Sequence, residues 1–60
     1  MKEQYVILSY NPHLKVWTPE RWGYSNEIVL YDDFYEALHD CHKGDRIVKY
    51  SQYLATYGED

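Results

Sequence analysis

The sequence contains few of the residues that cross-link a chain or interrupt its secondary structure. Its 60 residues include one cysteine, two prolines and three glycines. A single cysteine excludes an internal disulfide, so we expect a cytoplasmic protein in a reducing compartment. No apolar run approaches the roughly 20 residues of a membrane span, and the N-terminus lacks the apolar core of a secretory signal. We therefore expect no membrane partner, and one domain over residues 1–60.

Positive charge is also scarce. The chain has six Lys and Arg residues and ten Asp and Glu residues, which gives a net charge of −4. This balance argues against a protein that holds phosphate groups by charge alone. The sequence has no pairing of nucleophile and base, no phosphate-binding loop and no cofactor motif. We therefore predict a protein that is not an enzyme and needs no cofactor.

The run over residues 27–50 predicts a strand, a helix and a second strand. Residues 28–31 are apolar and favour a strand, and Asp32 or Asp33 can cap the following helix. Gly44 suits the left-handed position that ends many helices, and residues 46–50 read as the next strand. The spacing i, i+3, i+4 and i+7 gives this helix one apolar face. That face consists of Phe34, Ala37, Leu38 and Cys41. The two strands are either parallel neighbours or separated by a third strand, and the pattern leaves both arrangements open.

The N-terminal half predicts a β-hairpin. Residues 5–10 are apolar on both faces of a strand, and residues 14–18 can return antiparallel after the Asn-Pro turn at residues 11–13. A loop over residues 19–26 follows. The predicted fold is thus α+β, with a three- to four-stranded sheet and one amphipathic helix in the order β-β-β-α-β.

The C-terminal segment, residues 51–58, fits two structures. Tyr50, Tyr53, Leu54 and Tyr57 have helical spacing, with Ser51 as a cap and Gly58 as a stop. The alternative is that the preceding strand continues. We expect a short helical turn.

His39, Cys41 and His42 lie within four residues and include metal-ligand types. Zinc needs about four such ligands in a tetrahedral array, and a second pair is missing. The alternative is a cysteine on the core side of the helix with two exposed histidines near its C-terminus. We predict no metal site.

Two features point to partner binding. The first is a run of carboxylates without any Lys or Arg, formed by Glu27, Asp32, Asp33, Glu36 and Asp40. An ordinary solvated helix face explains such a run, and so does a surface that meets a basic groove. The second is the aromatic content, with eight Tyr and two Trp. Many of these rings must fill the small core, but Trp and Tyr also dominate interface hot spots.

The predicted binding residues combine both features. They are Trp17, Trp22, Tyr24, Asp32, Asp33, Glu36 and Asp40. The three aromatic residues lie on or beside the least regular segment, residues 19–26.

The acidic, tyrosine-rich composition resembles that of small early bacteriophage proteins. The 27–50 run, with Glu36, Ala37 and Leu38 on its helix, is similar in layout to the inhibitors of host RNA polymerase from T7-type phages. That resemblance implies one helix packed on a small sheet, binding to a host protein largely through charge, and a place in the host cytoplasm. No binding residue is carried over from it.

The function predicted from the sequence is a protein-binding module. Its partner would be a host protein with a basic surface that handles nucleic acid, and the chain would inhibit it. Two alternatives remain open at this point. One is a small domain that binds single-stranded nucleic acid by aromatic stacking, and the other is a homodimeric regulatory or structural protein.

Overall fold

The N-terminal strand is the centre of the sheet. The computed structural model describes residues 2–57. In it β1 (Tyr5–Asn11) lies between β2 (Val16–Pro19) and β3 (Arg46–Lys49), and both neighbours run antiparallel to it. Two short helices, α1 (Phe34–Asp40) and α2 (Tyr50–Thr56), complete the order β-β-α-β-α. The predicted α+β class is confirmed.

The predicted strand over residues 28–31 is wrong. This segment makes only two isolated bridges, one from Ile28 to Arg21 and one from Tyr31 to Tyr5. The reason is that the edge of β1 is already occupied. β2 pairs with residues 8–11, and the Glu20 N–H donates to the carbonyl of Ile7, so room remains beside Tyr5 alone.

β3 does not pair with the segment around Tyr31. Tyr5 pairs antiparallel with Tyr31 on one side and with Lys49 on the other, so β1 separates the two. Of the two arrangements that the sequence left open, this is the one with a strand in between.

The predicted hairpin of β1 and β2 is present. Asn11 organises its turn, because its Oδ1 accepts hydrogen bonds from the N–H groups of His13 at 2.9 Å and Leu14 at 3.2 Å. The second strand begins two residues later than the sequence predicts, since Lys15 has a φ of 59° and belongs to the turn.

Helix α1 begins as predicted and ends early. Asp33 is the N-cap, with its Oδ1 accepting from the Tyr35 N–H at 3.3 Å. The backbone becomes extended at Cys41, so the helix stops at Asp40. Gly44 does adopt a positive φ of 93°, but in the turn His42–Asp45 that leads into β3, not at the helix end.

The two helices cover opposite faces of the sheet. Successive side chains of a strand point to opposite faces. Phe34 of α1 contacts Tyr5, whereas Tyr53 of α2 packs with Val6 and Leu8. We call the side of the sheet that carries Tyr5 the α1 face, and the side that carries Val6 and Leu8 the α2 face. Val6, Ile7 and Leu8 are all buried, which confirms that both sides of β1 are covered.

The C-terminal segment forms the predicted helix, within the described residues. Tyr50, Tyr53 and Tyr57 stack along α2, with ring centroids 6.3 Å and 5.8 Å apart. Its N-cap is Lys49, not Ser51, whose hydroxyl donates to Glu3 instead. The predicted stop at Gly58 lies outside the described residues.

Candidate functional site

The segment between β2 and α1 leaves one edge of β1 and returns to that edge. We call residues 20–31 the excursion. Val29 N–H donates to the Glu20 carbonyl at 2.9 Å, and Trp22 N–H donates to the Glu27 carbonyl at 3.0 Å. The Arg21 guanidinium also donates to the carbonyl of Asn26. These bonds make the excursion a narrow ribbon with residues 22–27 at its tip.

Two of the predicted aromatic residues lie at this tip. Trp22 is 58% exposed and Tyr24 is fully exposed. They do not cover the sheet, although Trp is a highly buried residue type on average. We call Trp22 and Tyr24 the aromatic tip.

The predicted carboxylates lie mainly along α1. Asp33, Glu36 and Asp40 have the spacing i, i+3 and i+7, which places them on one side of the helix. We call these three residues the acidic stripe, and all three are exposed. Asp32 is exposed as well, and its Oδ1 accepts from the Gln4 side chain at 3.1 Å.

Tyr31 connects the excursion to the acidic stripe. Its hydroxyl lies 3.1 Å from Oδ2 of Asp40 and 3.2 Å from Oε1 of Glu20. Burial raises the pKa of Tyr31 above its usual range, and the hydrogen bond to Asp40 and the charge of Glu20 act in the same direction. The phenol therefore stays protonated at neutral pH and holds the two segments together.

The carboxylates of this region are not neutralised by Lys or Arg. Within residues 2–57 the ion contacts join His39 to Asp40 at 3.6 Å and His42 to Asp45 at 3.8 Å. Both imidazoles are highly exposed, and exposed ion contacts of this kind contribute little. The negative charge thus remains available to a partner.

Trp17 is separated from the other predicted residues. It lies on the α2 face, where it packs against the core cluster and is half-buried. Tyr10, its cross-strand neighbour, meets it edge-to-face with ring centroids 5.4 Å apart. The Arg46 guanidinium carbon lies 4.6 Å from the Trp17 ring centroid. We call Tyr10, Trp17 and Arg46 the Trp17 platform.

Cys41 and the histidines beside it do not form a ligand cluster. In the described part of the chain no three His, Cys, Asp or Glu side chains are grouped so that they could hold a metal ion. Partial burial raises the pKa of the Cys41 thiol, and the charge of Asp45 adds to this effect. The thiol is therefore a weak nucleophile at neutral pH.

Residues 2–57 enclose no pocket, and neither helix there is long and apolar enough to cross a membrane. Comparisons with family models, curated proteins and solved structures found no match to this chain. The resemblance to phage inhibitors accordingly stays a prediction.

Four residues that the structure places at these surfaces were not among the binding residues predicted from the sequence. They are Glu20, Tyr31, Tyr10 and Arg46. The exposure of Phe34, Tyr35 and Leu38 on α1 was also not predicted from the sequence. Phe34 and Leu38 belong to the predicted apolar face, of which Ala37 is buried. No sequence signal identifies the contact of Arg46 with Trp17, since it requires the strand order β2-β1-β3.

Proposed function

We propose that this chain is a non-enzymatic protein-binding module. It would contact a basic partner surface through the aromatic tip, with the acidic stripe and Asp32 beside it supplying charge complementarity. The observation that carries this proposal is the exposure of Trp22 and Tyr24 on a hydrogen-bonded ribbon. Trp17 is not part of this surface, because it lies on the α2 face.

The aromatic tip has the properties of an interface anchor. Trp and Tyr bury large areas while losing little side-chain entropy, since each has only two rotatable side-chain bonds. The backbone bonds of the excursion fix the tip before a partner arrives, which lowers the entropy cost of binding. Burial of these rings in a partner's pocket would then contribute directly to affinity.

The acidic stripe would guide the encounter. Exposed carboxylates without a Lys or Arg partner attract a positively charged surface and raise the association rate at low salt. A protein that handles nucleic acid presents such a surface. The role as an inhibitor of a host protein, which the phage resemblance implies, belongs to this proposal.

The first experiment is affinity capture from a nuclease-treated bacterial lysate at low and high salt, followed by mass spectrometry. We expect one stoichiometric protein that is lost at high salt. The double variant Trp22→Ala, Tyr24→Ala should fail to capture it, whereas Leu14→Ala, an exposed apolar side chain on the hairpin turn, should capture it normally. Equal capture by all three proteins would refute the role of the tip.

The acidic stripe has a charge-matched control. Glu36→Gln and Gln52→Lys each raise the net charge by one, and both positions are exposed, one on α1 and one on α2. We expect Glu36→Gln to slow association with the captured partner and Gln52→Lys to leave it nearly unchanged. If the two variants slow it equally, the effect is one of net charge and the stripe is not a docking surface.

The alternative function is that of a homodimeric regulatory or structural protein. The described residues do not identify a surface for such a dimer. Light scattering at high protein concentration separates it from the proposed function. A monomer is expected, and a stable dimer would replace the proposal.

A further inference from the structure

The Trp17 platform lies on a part of the α2 face that α2 leaves uncovered. Tyr10 and Trp17 form a cross-strand pair at the end of β1, while the tyrosines of α2 cover Val6 and Leu8. Tyr10 is 48% exposed, and Arg46 is exposed above the Trp17 ring. Water therefore reaches one aromatic ring and one guanidinium group side by side.

The register explains why these three groups meet. On β1, residues 5, 7, 9 and 11 direct their backbone groups towards β2 and Tyr31, so Tyr10 and Trp17 form a non-hydrogen-bonded pair. The side chains of such pairs approach more closely than those of hydrogen-bonded pairs. Arg46 pairs with Leu8 on the other edge of β1 and shares this face. Its side chain reaches across β1 to Trp17.

Among residues 2–57, no carboxylate compensates the charge of the Arg46 guanidinium. Within the described residues it makes neither an ion pair nor a hydrogen bond, although residue 45 beside it is an aspartate. The Asp45 side chain instead accepts from Ser9 and from the His42 N–H, which places it on the α1 face. The strands contribute no carboxylate to the α2 face, and α2 itself has no charged residue.

We propose that the Trp17 platform binds a base of single-stranded nucleic acid. The base would stack on the outer plane of the Arg46 guanidinium and against the Tyr10 ring, with the Arg46 charge close to the adjoining phosphate. Bases of single strands stack on aromatic rings and on arginine planes in this manner. The net negative charge of the chain does not oppose this locally, because the acidic stripe lies on the α1 side of the sheet.

A single-stranded ligand is favoured over a duplex. The Arg46 guanidinium and the Tyr10 ring at the surface can reach only a base that is already unstacked, and one arginine cannot follow a continuous phosphate backbone. The proposal therefore concerns a short contact of one or two nucleotides, separate from the surface proposed for the protein partner.

Trp17 fluorescence provides the measurement. The variant Trp22→Phe leaves Trp17 as the single tryptophan, and an oligothymidylate of about 10 nucleotides is titrated into it at low salt. We expect saturable quenching, and none with a duplex of the same length. In the same background, Arg46→Met and Tyr10→Leu should each weaken binding by about tenfold.

Arg21→Met is the matched control, since the Arg21 guanidinium is held by Asn26 on the excursion. It should leave the titration unchanged. Arg46→Lys keeps the positive charge but removes the planar guanidinium group. This variant should therefore bind the oligonucleotide more weakly, with the same salt dependence as the parent. Arg46→Met should reduce the slope of log K against log salt by ~0.7, the value for one phosphate contact to a single strand.

Circular dichroism of each variant establishes that the fold is retained. An absence of quenching by the single strand, equal quenching by the duplex, or equal losses in Arg21→Met and Arg46→Met would each overturn the proposal. Capture of the protein partner should be unaffected by Arg46→Met, and oligonucleotide binding should survive Tyr24→Ala. The two proposals can therefore fail independently.

Discussion

The hydroxyl group of Tyr31 lies 3.1 Å from Oδ2 of Asp40, and this contact joins the excursion to the last turn of α1. It adds a side-chain link to the direct chain connection through residues 32 and 33. The Tyr31 hydroxyl thus helps to position the acidic stripe relative to the excursion that carries the aromatic tip.

The first prediction tests this connection. Tyr31→Phe removes the hydroxyl while keeping the ring, and it should lower the free energy of unfolding by about 1 kcal/mol. Tyr35→Phe is the control, because Tyr35 is 73% exposed and its hydroxyl has no partner among the described residues. Urea unfolding should show a change below about 0.5 kcal/mol for that variant. Equal effects of both substitutions would contradict the role of the hydroxyl.

The second prediction concerns alkaline pH. The pKa of Tyr31 is raised in the folded protein, so above pH 10.0, the ordinary value, the unfolded chain loses this proton while the folded protein retains it. The unfolded state is then favoured, and the stabilising contribution of Tyr31 declines as the pH rises past 10. Urea unfolding of the wild type and Tyr31→Phe should give a stability difference that shrinks between pH 8 and pH 11. A constant difference would exclude this linkage.

The sequence predicted the local structure around particular residues well. Asn11 before a proline predicted the hairpin turn, and Asp32 or Asp33 was predicted to cap the helix, which Asp33 does. The spacing of Tyr50, Tyr53 and Tyr57 favoured a short helical turn where α2 lies. Each of these features depends on residues within about two helical turns of each other along the chain. Such interactions are already encoded in the sequence pattern.

Features that depend on distant pairing could not be predicted in this way. The apolar residues 28–31 suit a strand, but whether they form one depends on how much of the edge of β1 is free. Because strand pairing could not be read from the sequence, Trp17 and Trp22 were predicted to lie on the same binding surface. The register of β2 against β1 turns Trp17 towards α2, and the excursion carries Trp22 away.

The third prediction compares two leucines of the hairpin. Leu8 is completely buried at the centre of the sheet, whereas Leu14 is 67% exposed on the turn. Leu8→Ala should lower the free energy of unfolding by about 2–5 kcal/mol, because it leaves a cavity that β2 and β3 prevent from closing. Leu14→Ala should change it by less than about 0.5 kcal/mol.

A chain of this length has a stability of roughly 3–9 kcal/mol, so Leu8→Ala should be partly unfolded at room temperature. Urea unfolding followed by circular dichroism at low temperature measures the free energy of unfolding of both variants. A loss below about 1 kcal/mol for Leu8→Ala would mean that β1 is not the centre of the core.

The last prediction compares two glycines that have open space around them. A Cβ at Gly23 or Gly44 would meet no atom within 4 Å, so sterics alone predict that alanine fits at both. Gly44, however, has a φ of 93°, which a residue with a side chain adopts at a cost of roughly 1–2 kcal/mol. Gly44→Ala should therefore destabilise the protein by about this amount. Gly23→Ala should be neutral or slightly stabilising, since it restricts the unfolded chain. Thermal unfolding distinguishes the two, and a neutral Gly44→Ala would mean that the turn before β3 can adopt another conformation without loss.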